Sequence, residues 1–200
     1  MKQAFLVLLW VGIVLLGFFA CPVWAGYDDG EAAYLNGEFS TALEIWKPLA
    51  EQGHADAQNM LGYMYRFGEG VDPDYALARK WYRLAADQGN PSAQNNLGVM
   101  YRLGLGGAQD FQEAFYWFHR AADQGNGGAQ NHLGLMYYKG EGVESDKVKA
   151  YKWAYLAAQQ GLDPAVQALA MLEQELSAAQ IQEGQALARA WKPRGEEVAL

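Results

Sequence analysis

Ala57-Gln58-Asn59-Met60-Leu61-Gly62-Tyr63-Met64-Tyr65 returns as Ala93-Gln94-Asn95-Asn96-Leu97-Gly98-Val99-Met100-Tyr101, and again as Ala129-Gln130-Asn131-His132-Leu133-Gly134-Leu135-Met136-Tyr137. Each step is 36 residues. The stretch that follows keeps the interval: Ala78, Ala114 and Ala150; Trp81, Trp117 and Trp153; Ala85-Ala86, Ala121-Ala122 and Ala157-Ala158; Gln88-Gly89, Gln124-Gly125 and Gln160-Gly161. Self-similarity at such a spacing marks stacked units, each of which needs its neighbours to bury its apolar face.

Within one unit, Ala57, Leu61, Met64 and Tyr65 fall at i, i+4, i+7 and i+8, the stripe of an amphipathic helix, here named A, ending at Phe67 before Gly68-Glu69-Gly70. After a turn that runs to Pro73, Asp74 is placed to cap a second helix, B. Its stripe is Ala78, Trp81, Tyr82, Ala85 and Ala86, closed by Gly89. Asp110 and Asp146 repeat that cap. Gly62, Gly98 and Gly134 lie inside helix A, where each costs about 1 kcal/mol relative to Ala. Their recurrence predicts a close approach of helix B, with Ala85-Ala86 expected opposite.

The ends of the array are modified. Ala42, Ile45, Trp46, Leu49, Ala50 and Gln52-Gly53 keep the phase of helix B one period earlier, behind a turn cut to Asn36-Gly37-Glu38. The expected organisation is therefore a shortened first pair in 26–54 and three repeats at 55–90, 91–126 and 127–162. A capping pair in 163–192 and a tail at 193–200 complete it. In the capping pair, Asp163 to Glu175 resembles another helix A, and Ser177-Ala178-Ala179-Gln180 is a capping box flanked by Leu176 and Ile181 as a hydrophobic staple. A final helix from about Ala178 to Trp191, stopped by Pro193, covers the last apolar face, as an open array requires.

Ahead of the array, Met1-Lys2 precede an uncharged run from Ala4 to Ala20, then Cys21-Pro22-Val23-Trp24-Ala25. This reads as a signal peptide, residues 1–25, with cleavage after Ala25 and a periplasmic or secreted product. Two other readings stay open. An uncleaved anchor would bring a membrane into contact, and Cys21 invites lipidation, although Phe18-Phe19-Ala20 lacks the Leu of a lipobox.

The composition narrows the chemistry. The 200 residues are 51% apolar and 19% charged, enough for a continuous core, and the formal net charge of −8 repels polyanions, so nucleic acid is not an expected partner. The single Cys excludes an intramolecular disulfide and a thiolate cluster. His54, His119 and His132 occupy different repeat positions without a ligand-spaced companion, so no metal site is expected. Leu103-Gly104-Leu105-Gly106-Gly107 follows a helix, lacks a Lys-Ser/Thr ending and fills the slot of Gly68-Glu69-Gly70, which makes it a turn rather than a phosphate loop. No Gly-x-Ser-x-Gly elbow is present. The expected protein is not an enzyme and carries no cofactor. The Trp column reads as core rather than as a ligand box.

Ala-Gln-x-x-Leu-Gly-x-x-Tyr-x-x-Gly-x-Gly, followed by Ala-x-x-Trp and Ala-Ala-x-Gln-Gly, resembles the Sel1-like repeat, a branch of the tetratricopeptide superfamily, over residues 28–192. The resemblance implies an all-α, right-handed α-solenoid of antiparallel helix pairs. It further implies a concave groove lined by A helices that acts as a scaffold for a protein or peptide. A cysteine-rich subgroup is linked to β-lactam binding or hydrolysis; the chain lacks the paired cysteines of that subgroup, so a cell-wall or β-lactam hydrolase is the second reading only.

If Ala57, Leu61 and Tyr65 point inward, the turn of about 100° per residue places Asn59, Tyr63 and Arg66 on the opposite side of helix A. Their equivalents are Asn95, Val99 and Arg102, then Asn131, Leu135 and Tyr138. These nine form the candidate peptide-binding groove: amides for a peptide backbone, guanidinium groups for carboxylates, rings for apolar side chains. The repeated Gln is expected to bond neighbouring turns.

Overall fold

The computed structural model describes residues 25–194; the signal-peptide reading, apart from Ala25, and the tail beyond 194 lie outside them. Every regular element among the described residues is an α-helix. The first pair is α1 (Ala25–Leu35) and α2 (Phe39–Glu51). The three repeats are α3 (Ala55–Phe67) with α4 (Tyr75–Asp87), α5 (Pro91–Leu103) with α6 (Phe111–Asp123), and α7 (Gly127–Lys139) with α8 (Lys147–Gln159). Then come α9 (Asp163–Glu175) and α10 (Ala178–Ala190). Each helix from α1 to α8 packs on the next, the layout of an α-solenoid, while α10 turns back onto α8. The terminal helices thus differ from an ordinary pair, because α9 and α10 both lie against α8 and close it from two sides.

Local chemistry sets these boundaries. Side chains of His54, Asn90 and Asn126 accept from the amides of Ala57, Ala93 and Ala129 to start the A helices. Those of Asp74, Asp110 and Asp146 start the B helices in the same way. Left-handed Gly68, Gly104 and Gly140 end the A helices. Ser177 and Gln180 form the capping box of α10 in both directions, and Leu176 and Ile181 join the C-terminal apolar cluster beside it.

The core repeats with the sequence. Leu61, Leu97 and Leu133, and Met64, Met100 and Met136, are fully buried in equivalent places. Trp117 and Trp153 are buried as well. Trp81 departs from its column, since it is only half-buried and leans on the N-terminal cluster.

The interior glycines serve a different neighbour from the one expected. A Cβ on Gly62 would stand 2.6 Å from the Tyr82 ring, and one on Gly98 would stand 2.7 Å from the Phe118 ring. Ala85-Ala86 is therefore not what the glycine accommodates: an aromatic ring of helix B lies flat in the notch. Only at Gly134 does backbone come close, with Ala150 O at 3.2 Å and Ala154 N at 3.3 Å. The reason is local, because Ala154 stands where Tyr82 and Phe118 stand in the earlier repeats.

Glutamines lock one repeat to the next. Gln58, Gln94 and Gln130 are buried, and their amides donate to Ala50 O, Ala86 O and Ala122 O at 2.9, 3.1 and 3.4 Å. Their side-chain carbonyls accept from Gln88, Gln124 and Gln160 at 2.7, 2.8 and 2.9 Å. A helix A is thus tied both to the preceding helix B and to its own, so the Gln column bonds helix to helix across the repeat boundary.

Candidate functional site

All nine groove candidates are half-buried on the A helices α3, α5 and α7. The position at the end of that face, seven residues after the Asn, forms cross-links between repeats. Arg102 Nε donates to Glu141 Oε2 at 2.8 Å, with both side chains only 19% exposed. Tyr138 Oη donates to Glu175 Oε1 at 2.8 Å, and Lys147 Nζ meets the other oxygen at the same distance. That carboxyl is held below the ordinary range by Lys147 first and by Tyr138 second. In the first pair, burial and then a hydrogen bond to Glu69 keep the Tyr34 phenol well above its ordinary range.

One link in this series lacks its acid. Arg66 precedes position 105 by the 39 residues that separate Arg102 from Glu141, and position 105 is Leu. Arg66 makes no ion pair with a carboxylate among the described residues; its guanidinium stacks 4.8 Å from the Phe67 ring centre. Beside it, burial pushes the Tyr82 phenol up against the opposing pull of Arg66. Asn95 Oδ1 and His132 Nδ1 are buried without a hydrogen-bond partner among the described residues, and the Tyr82 hydroxyl is buried against the Arg66 guanidinium. The site therefore combines a cation with polar groups that are costly to leave unsatisfied.

The remaining candidates have distinct surroundings. Asn59 Oδ1 accepts from Asn96 Nδ2 at 3.2 Å, a bond between neighbouring A helices. Tyr63 packs edge-on to Tyr34 and against Phe67. Val99 joins the C-terminal core. Asn131, Leu135 and Tyr138 line a cavity of about 230 Å³ against α9.

His132 belongs to this surface although no motif singles it out. It occupies the column of Met60 and Asn96, and its ring stacks on Phe118 with centroids 4.6 Å apart. Burial first, then Arg102 and Arg66, lower its pKa from 6.5 to about 4. The unfolded chain binds a proton below 6.5 while the folded ring stays neutral, so the stabilising difference is complete above 6.5 and is lost as pH falls towards 4. By about pH 5 this amounts to about 2 kcal/mol. In denaturant titrations, His132→Asn, which copies Asn96, is expected to lose about 2 kcal/mol less than the native chain between pH 7 and about 5. Parallel pH profiles would contradict the assignment.

The signal for Tyr34, Glu69, Glu141, Glu175 and His132 was in the sequence, but in differences between aligned copies rather than in the shared motif. Repeated letters reveal the scaffold; the column in which Glu69, Leu105 and Glu141 alternate reveals the site.

Comparison with known proteins agrees with this geometry. A family model described as Sel1 repeat matches residues 55–90, 91–126 and 128–162. The chain is similar to the crystal structure of a Sel1 repeat protein from Oxalobacter formigenes, at 28% identity and TM-score 0.69, covering 86% of this chain and 74% of that one. It is also similar to a protective antigen present in uropathogenic Escherichia coli strains that displays an SLR fold. There the identity is 28% and the TM-score 0.60, over 84% of this chain and 45% of that one. The chain spans less than half the length of that antigen. No curated protein matches. With three matched segments that together cover more than half of the sequence, each coinciding with one observed helix pair, the chain belongs to the Sel1 repeat family.

Proposed function

We propose that the chain is a non-enzymatic scaffold, exported by its N-terminal segment to the periplasm or beyond. In this reading it holds a segment of another protein along the exposed faces of α3, α5 and α7. The carrying observation is Arg66: the cross-repeat series supplies an acid to Tyr34, Arg102 and Tyr138 and, among the described residues, none to Arg66. A carboxylate of the bound segment completes that link. The net charge of −8 repels an acidic segment at long range, so the contact depends on the local guanidinium of Arg66.

Selection of displayed peptides on the full chain tests this reading. Enriched peptides are expected to carry Asp, Glu or a free carboxyl terminus, and Arg66→Gln is expected to weaken them about tenfold with helicity unchanged. Enrichment without acidic residues, or equal affinity for the Gln variant, would defeat the proposal. Amino-terminal sequencing of the exported protein checks the address, a start at Gly26 being the expected result.

A further inference from the structure

Trp46, Tyr82 and Phe118 occupy one column of helix B, and the next member is Ala154. The first three rings each lie on a glycine of the partner helix, Gly30, Gly62 and Gly98. The Phe118 ring is held between Gly98 on one side and His132 of the following A helix on the other. One period later the same three places are Gly134, Ala154 and Ala168. All three line the cavity of about 230 Å³ between α7, α8 and α9. The cavity thus opens beside the place of the ring in the earlier repeats, with the α8 backbone drawn in against Gly134 on one side.

We propose that this cavity binds an aromatic side chain of a bound protein segment, which takes the place of the ring that the chain itself supplies in the earlier pairs. The proposal rests on the groove reading above and adds the residue that anchors the segment. Leu135 and Leu172 give the slot apolar walls, and Asn131 adds an amide. Met171 lines the cavity and is 53% exposed, which puts a flexible, polarizable thioether at its rim, where it can close over a ring edge. A ring entering the slot buries a large rigid surface at low entropic cost, the usual property of an interface anchor. Charge adds a preference at the flanks: on α9, the outer wall, Glu175 is already paired with Lys147, while Asp163 and Glu173 are exposed with no Lys or Arg on that helix, which favours basic residues next to the ring.

The test uses the full chain and two capped peptides, acetyl-Lys-Gly-Phe-Gly-Lys-amide and the same peptide with Ala for Phe, with binding read by calorimetry and by amide shifts. The Phe peptide is expected to bind about thirtyfold more tightly than the Ala peptide and to shift the amides of Gly134 and Ala168. p-Cresol alone is expected to shift the same two amides. Ala154→Phe, which restores the ring, is expected to abolish the preference for Phe while keeping native circular dichroism; Ala154→Leu serves if the Phe variant does not fold. Equal binding of the two peptides, or an undiminished Phe preference in the filled variant, would overturn the proposal. Acidic peptides that depend on Arg66 but show no Phe preference would overturn the ring site alone. Phe-dependent shifts at Gly134, with no acidic peptide sensitive to Arg66→Gln, would overturn the carboxylate reading alone.

Discussion

Gly106→Ala is expected to cost about 3 kcal/mol of folding free energy. Gly106 sits at φ +72, where an L side chain is strained, and a Cβ there would collide with the carbonyl of Tyr75, the first residue of α4. Both the new methyl group and the obstructing carbonyl are fixed to backbone, so relief requires the turn between α5 and α6 to move away from α4. Gly70 meets Phe39 and Gly142 meets Phe111 in the same way, so the turn of one repeat seals the start of the preceding helix B throughout the array. Gly89→Ala is the control. At φ +94, with nothing within 4 Å of its Cβ, it keeps the strain and removes the collision, for an expected loss of about 1 kcal/mol. Urea denaturation of both variants measures the difference; equal losses would show that the contact with Tyr75 contributes nothing.

Gln94→Leu should also cost about 3 kcal/mol, although it places an apolar side chain in a fully buried position. The amide of Gln94 satisfies Ala86 O at 3.1 Å, and its carbonyl accepts from Gln124 at 2.8 Å. Leucine leaves the Ala86 carbonyl, at the end of α4, buried with one acceptor site unanswered, and each such loss is worth about 1–3 kcal/mol. Gln124 is partly compensated by its bond to Arg120 O at 3.4 Å, so most of the effect falls on the interface between α4 and α5. Hydrogen exchange is expected to rise first at those two helices. A stability within about 0.5 kcal/mol of the native chain would remove the Gln column from the account of how repeats are held together.

The fold was legible because stacking demands the same residue at the same depth in every copy. Leu61, Leu97 and Leu133 could be placed in the core, and Asp74, Asp110 and Asp146 at the helix starts, from spacing alone. The interior glycines were legible as a close approach but not as to its partner, since Ala85-Ala86 and Tyr82 lie on the same stripe and only side-chain direction separates them. That α10 rests on α8 depends on packing that no periodic letter encodes. The candidate groove face was drawn by turning away from the core stripe, and the structure has all nine of its residues half-buried on A helices. What that turning could not show is that Arg102 and Tyr138 are already engaged by Glu141 and Glu175, because those acids come from the following unit. Nor could it show that Ala154 opens a slot, because an alanine among many alanines carries no message until a ring is expected in its place.

Units in register carry a chemical link from the A faces of α5 and α7 to the next unit, and the acid that Arg66 lacks among the described residues is the one proposed to come from a bound segment. Leu105 is half-buried and packs on the cluster that contains Tyr82, in the place where Glu141 stands one period later. The decisive measurement is the affinity of Leu105→Glu for an acidic peptide selected on the native chain. The account predicts at least a tenfold loss, because the new carboxylate occupies Arg66 from within, and no further loss when Arg66→Gln is added. Unchanged affinity in Leu105→Glu would contradict it.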